Sequence, residues 1–156
     1  MADKSKDDLK INELNGKKKV LVVEDDEDMN DLICAVLGEA GYETQSAVTG
    51  EDGFKAAVEI KPDLILLDIR FEKGEMDGLE VCRRISNFKD TKSIPIIMVT
   101  IERELSTKLA AYIAGAKRYI TKPFGVDDLI SEVEKTFKQK NIPLPEENGS
   151  LDARDL

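Results

Sequence analysis

The chain has 156 residues, and its 32 Asp and Glu outnumber 23 Lys and Arg, so the net charge of -9 opposes non-specific binding to nucleic acid or anionic membrane. Apolar side chains make up 41% and aromatic ones 5%, enough for a single domain with a core of Val, Ile, Leu and Ala. Histidine is absent, which excludes Ser-His-Asp and Cys-His nucleophile systems, histidine-bearing zinc sites and a histidine phosphocarrier within this chain.

Residues 1–17 mix acids and lysines without an apolar period and read as an N-terminal tail, Lys17, Lys18 and Lys19 being the solvated flank of a strand. The patterned stretch, 18–138, opens with the apolar run Val20–Val23 leading into Glu24, Asp25 and Asp26. Met29, Leu32, Ile33, Val36, Leu37 and Ala40 then recur at helical spacing, with Asp26 placed to cap the helix and Gly41 just past its end. Tyr42–Val48 is a short strand of mixed polarity. Thr49 caps a second helix carrying Phe54, Ala57, Val58 and Ile60, which Pro62 stops near Lys61. Leu64–Leu67 is a second apolar run, ending in Asp68. Asp77 or Gly78 opens a third helix with Leu79, Val81, Cys82 and Ile85. Ile94–Val99 runs into Thr100, and Leu105, Leu109, Tyr112 and Ile113 mark a fourth helix. Tyr119–Thr121 leads into Lys122-Pro123, and Val126, Leu129, Ile130, Val133 and Phe137 mark a fifth helix. Residues 139–156, with two prolines and no apolar repeat, read as a flexible C-terminal tail.

Near-continuous apolar strands imply burial on both faces, so five right-handed βα units give a parallel sheet between two helical layers. The carboxyl ends of such strands share one edge, where ligands of open α/β sheets bind. Glu24, Asp25, Asp68, Thr100 and Lys122 then converge there: acids to hold a hard cation, an acid to be attacked and an ammonium to neutralise the product. Neither a Walker A nor a Gly-x-Gly-x-x-Gly pattern occurs, which argues against nucleotide binding. Cys34 and Cys82 lack metal spacing and read as small buried residues. The apolar runs are too short for a membrane span or secretory leader, so a cytoplasmic location is expected.

Val20–Asp26, Leu64–Asp68, the Met76-Asp77-Gly78-Leu79-Glu80-Val81 string, Ile94–Thr100 and Tyr119–Phe124, in that order, resemble the receiver domain of two-component response regulators. The resemblance implies a flavodoxin-like (βα)5 fold with strand order 2-1-3-4-5. It makes Asp68 the acceptor of a phosphoryl group from a histidine kinase or histidine phosphotransfer protein. Mg2+, with Mn2+ as substitute, would be held by Asp25 and Asp68 directly, by Glu24 through water and by the Arg70 backbone carbonyl. Lys122 and Thr100 would contact the phosphoryl group, and Thr100 with Tyr119 would form the switch. The family's Lys-Pro bond is commonly cis, which would turn Lys122 into the site.

Arg70 and Glu102 each follow a site residue by two positions, so their side chains should flank the mouth of the pocket and form a gate. The 103–138 region, exposing Lys108, Lys117, Arg118, Asp127 and Asp128, is the expected face for a downstream protein or for self-association. Two departures stand out. The 69–76 loop is longer than usual and lacks the usual proline, which favours mobility, and Ile101 stands where a small residue is usual, which would narrow access. A dehalogenase-type phosphatase would need an acid at position 70, where the chain has Arg70. The chain is therefore expected to be no turnover enzyme, while catalysing its own phosphoryl transfer and slow autodephosphorylation. The remaining alternatives are a phosphate sink or relay intermediate, and an interaction module that ignores phosphate. The short C-terminal stretch cannot form a winged-helix output, so a stand-alone switch without direct nucleic-acid or membrane contact is expected.

Overall fold

The computed structural model describes residues 16–140; the expected tails lie almost wholly outside this span. Five strands, β1 (Lys19–Val23), β2 (Glu43–Ala47), β3 (Leu64–Leu67), β4 (Ile96–Thr100) and β5 (Arg118–Thr121), alternate with five helices. These are α1 (Glu27–Glu39), α2 (Gly50–Ile60), α3 (Gly78–Asn87), α4 (Leu105–Ala114) and α5 (Val126–Lys140). All strands are parallel, in the order β2-β1-β3-β4-β5. This is the doubly wound, flavodoxin-like arrangement.

Alternation along each strand divides the apolar side chains between two cores. Leu21, Val23, Ile65, Leu67, Ile96 and Met98 face α2, α3 and α4, where they meet Ala57, Val81, Ile85 and Ala111. Val20, Val22, Leu64, Leu66, Ile97 and Val99 face α1 and α5, meeting Ile33, Leu37, Leu129 and Val133. Each fully buried Leu or Ile contributes about 1.5–3 kcal/mol, which is why the central strands tolerate no polar residue until their carboxyl ends. β2, at the sheet edge, buries only Ala47.

Helix starts follow local chemistry. Asp26, Thr49 and Asp77 adopt extended backbone and accept the N–H groups of Met29, Asp52 and Glu80 at 3.2, 3.0 and 2.9 Å. α4 departs from its sequence pattern: Leu105 and Ile113 are exposed, and the buried positions are Ala111 and Ala114. Small side chains let α4 approach α3 and the sheet closely, leaving its larger apolar residues outside. No helix among the described residues is long and apolar enough to cross a membrane.

Candidate functional site

Glu24 and Asp25 leave β1, Asp68 leaves β3, Thr100 ends β4, and Lys122 leaves β5. Pairing of β1 with β3 brings Val23 opposite Leu67, so the acids that follow lie side by side. Oxygens of Glu24, Asp25 and Asp68 lie within 4.8 Å of one another. Lys122 reaches them from β5, two strands from β3 and three from β1, with the Lys122-Pro123 bond cis. Its Nζ donates to Asp68 Oδ2 at 2.8 Å and also to Glu24 Oε1. Burial alone would lower the Lys122 pKa, but its hydrogen bonds to Asp68 and Glu24 outweigh this and raise it.

The backbone holds the carboxylates. Asp68 Oδ1 accepts from the N–H of Ile69 at 2.6 Å and of Arg70 at 3.4 Å. Glu24 Oε2 accepts from Asp26 N–H at 3.1 Å, and Asp25 Oδ2 from Glu72 N–H at 2.7 Å. Asp68 is only 8% exposed, and α3 begins directly against it: a Cβ on Gly78 would lie 1.9 Å from the Asp68 carbonyl oxygen. Glycine is required there by close approach.

Burial pushes the Glu24 carboxyl up to about 6, with the Asp68 charge adding to the rise while Lys122 and the Asp26 N–H pull against it. The folded state therefore holds a proton that the unfolded chain releases near the ordinary 4.5. Metal-free stability should thus be greatest below about pH 4.5 with respect to this group and fall by roughly 2 kcal/mol as pH rises through about 6. Urea unfolding of wild type and Glu24→Gln across this range checks the sign. A stability difference that does not change with pH would refute it.

Thr100 is fully buried, and its Oγ1 accepts from Glu102 N–H at 3.4 Å. The Tyr119 hydroxyl donates to the Glu102 carbonyl at 2.6 Å, and Lys108 Nζ lies 5.6 Å from the Tyr119 ring centroid. Burial, then the charges of Glu102 and Asp68, push the Tyr119 phenol up to about 12. Arg70 Nε donates to Glu102 Oε2 at 2.5 Å, so these two side chains meet across the loops beyond β3 and β4. Ile101 is 64% exposed and projects into solvent.

Other placements differ from the sequence pattern. Arg118 is half-buried, paired with Glu132 at 3.0 Å, because β5 directs it under α5; Lys108 is half-buried against Tyr119. Lys117, Asp127 and Asp128 are exposed. The 69–76 loop, without proline, is restrained by hydrogen bonds to Asp25 and Glu51. Asn30, unmarked by the sequence pattern, is buried and donates from Nδ2 to the carbonyls of Glu24, Ala47 and Val22 at 3.0, 3.1 and 3.4 Å, fixing the acidic turn to β2. Its signal was a polar residue interrupting the apolar stripe between Met29 and Ile33.

Fold and pocket together define a doubly wound α/β domain with a lysine-bridged acidic site at the carboxyl edge of its sheet. The response regulator receiver domain model matches residues 20–134, and the chain belongs to that family, whose members act in phosphorylation-based signalling. It is 36% identical over 121 residues to the DNA-binding dual master transcriptional regulator RpaA of Synechocystis, covering 78% of this chain and 49% of that protein. It is also 36% identical over 128 residues to the alkaline phosphatase synthesis transcriptional regulatory protein PhoP of Bacillus subtilis, covering 82% of this chain and 52% of PhoP. The chain thus spans about half the length of these curated relatives. Among solved structures, the CheY-like receiver domain protein of Methanospirillum hungatei superposes with a TM-score of 0.75 at 27% identity, over 80% of this chain and 97% of that one. Vibrio cholerae chemotaxis protein CheY4 gives 0.72 at 27% identity, over 77% and 98%.

Proposed function

We propose that this protein is a phosphorylation-dependent switch that takes a phosphoryl group onto Asp68 from a histidine kinase or histidine phosphotransfer protein and thereby changes its affinity for a partner. The carrying observation is the Lys122 ammonium bridging Asp68 and Glu24 beside Asp25. Three carboxylates supply the hard oxygens that Mg2+ prefers, so the residues fit that ion, with Glu24, Asp25, Asp68 and the Arg70 carbonyl as the proposed holders. When bound, the ion would offset the negative charge gathering on the transferring group.

The chain's own groups do the rest. Asp68 Oδ2 forms the new O–P bond as the donor's histidine nitrogen leaves. Hydrogen bonds from Ile69 and Arg70 hold the other Asp68 oxygen, which orients the attacking one. Lys122 then exchanges part of its contact with Asp68 for the phosphoryl oxygens, and the Thr100 hydroxyl donates to another. Drawing Thr100 inward moves the 101–104 segment, to which Tyr119 is tied through the Glu102 carbonyl. The state completed by phosphate is thereby favoured, and a partner on the 103–138 face senses it.

Amide spectra of the full chain with and without beryllofluoride and Mg2+ test this reading. The largest remote changes should fall between residues 103 and 138, while the outer face of α2 around Lys55 and Glu59 stays quiet. Changes confined to the pocket would favour a phosphate sink or relay.

The Arg70–Glu102 pair is proposed as a gate on hydrolysis. An exposed pair contributes about 0–1 kcal/mol to stability, so its effect should be kinetic, through shielding the phosphoryl group from water. Arg70→Ala and Glu102→Ala should each speed dephosphorylation, and the double variant should be no faster than the faster single one. Wild-type rates in all three would remove the gate.

A further inference from the structure

The loop between Asp68 and α3 is tied down by a carboxylate from outside the pocket. Glu51, in the first turn of α2, accepts the N–H groups of Glu75 at 2.8 Å and Met76 at 3.1 Å on Oε2. Its Oε1 is buried without a hydrogen-bond partner and packs against Gly74. Gly74 has φ +84°, which L side chains rarely adopt, and a Cβ there would lie 2.4 Å from that oxygen, so a side chain at 74 would strain the backbone and displace the Glu51 carboxylate. Glu51 makes no ion pair among the described residues, and backbone groups provide its hydrogen bonds.

Three residues before Glu75, the same loop donates the Glu72 N–H to Asp25 Oδ2 at 2.7 Å. Lys73 and Gly74 alone separate the two anchors. We propose that Glu51 is a positioning residue for the acidic pocket: by holding 74–76 it keeps the Glu72 N–H on Asp25 and so sets the orientation in which Asp25 meets a divalent cation. Without proline in 69–76, the loop is held by its hydrogen bonds to Asp25 and Glu51 and by Phe71 and Met76 packed against the core, and Glu51 is the side chain that ties down 75–76. The inference rests on the reading of Glu24, Asp25 and Asp68 as a cation site. Groups that orient a ligating carboxylate typically change metal affinity by about 10–100-fold when lost.

Calorimetric titration of the full chain with Mg2+, paired with labelling rates from a small phosphodonor as Mg2+ is raised, tests it. Glu51→Ala should need about tenfold more Mg2+ for half-saturation, while its rate at saturating Mg2+ returns to the wild-type value. Gly74→Ala should reproduce this from the loop side, and it keeps the test decisive if Glu51→Ala fails to fold. Glu51→Gln, whose amide oxygen still accepts both N–H groups, should bind close to wild type. Wild-type Mg2+ affinity in Glu51→Ala and Gly74→Ala, with affinity lost in Asp25→Asn, would overturn the positioning role alone. A rate that stays low at saturating Mg2+ would also overturn it. Wild type that takes up no Mg2+, or Asp25→Asn that binds like wild type, would overturn the cation reading and this inference with it.

Discussion

Asp68→Asn should gain no phosphoryl mass under conditions in which wild type, given a small phosphodonor and Mg2+, gains one group. The substitution keeps the shape of the side chain and leaves an oxygen to accept the Ile69 N–H, so the turn after β3 has its local hydrogen bond in both proteins. What it removes is the carboxylate charge and the oxygen that Lys122 contacts at 2.8 Å. An amide is a far weaker nucleophile than a carboxylate. Glu24 and Asp25 are the competing acceptors by proximity, and both keep their carboxylates in Asp68→Asn, so any labelling that survives the substitution points to them. Intact-mass measurement decides. Equal labelling of wild type and Asp68→Asn would remove Asp68 as acceptor and move attention to Asp25.

The convergence of these groups was legible in the sequence because each of them sits at, or within two residues past, the carboxyl end of a strand. Once Val20–Val23, Leu64–Leu67 and Ile96–Val99 are parallel neighbours, the residues after them share an edge by topology alone. The helices and their caps were legible for the same local reason: Asp26, Thr49 and Asp77 are short polar side chains one step ahead of an apolar period. Periodicity says which side chains share a helix face, but not which face the tertiary structure buries. α4 shows the difference, since its pattern of Leu105, Leu109, Tyr112 and Ile113 is helical while its close packing uses Ala111 and Ala114. Long-range hydrogen bonds left still less trace. Glu51 meets a loop 24 and 25 residues further along the chain, and Arg118 finds Glu132 only because β5 runs beneath α5. Both residues look like ordinary surface charges in sequence.

Lys122→Met should produce the largest combined change in stability and labelling. The Lys122 side chain is 12% exposed, against 4% for Glu24 and 10% for Asp68, so the bridge is largely out of water. Removing one partner of such a pair typically costs about 3–5 kcal/mol, because the remaining charge stays buried without compensation. Here two carboxylates are left facing each other. Glu24, already pushed up to about 6 with Lys122 present, loses the pull that lowers it and should rise further. The penalty should therefore be greatest near neutral pH and shrink as acid protonates Glu24. Mg2+ should shrink it too, by replacing the missing positive charge, so the thermal midpoint of Lys122→Met should rise more on Mg2+ addition than that of wild type. Labelling behaves differently. The ammonium contacts the oxygen that the proposal assigns as nucleophile, and loss of one preorganised donor of this kind costs about 10²–10³-fold in rate. Mg2+ can restore charge balance but not that contact, so stability should recover with Mg2+ while the labelling rate stays low. Full recovery of both would reduce Lys122 to a counter-charge. A Lys122→Met variant as stable as wild type without Mg2+ at neutral pH would show that the bridge is not holding the two acids together.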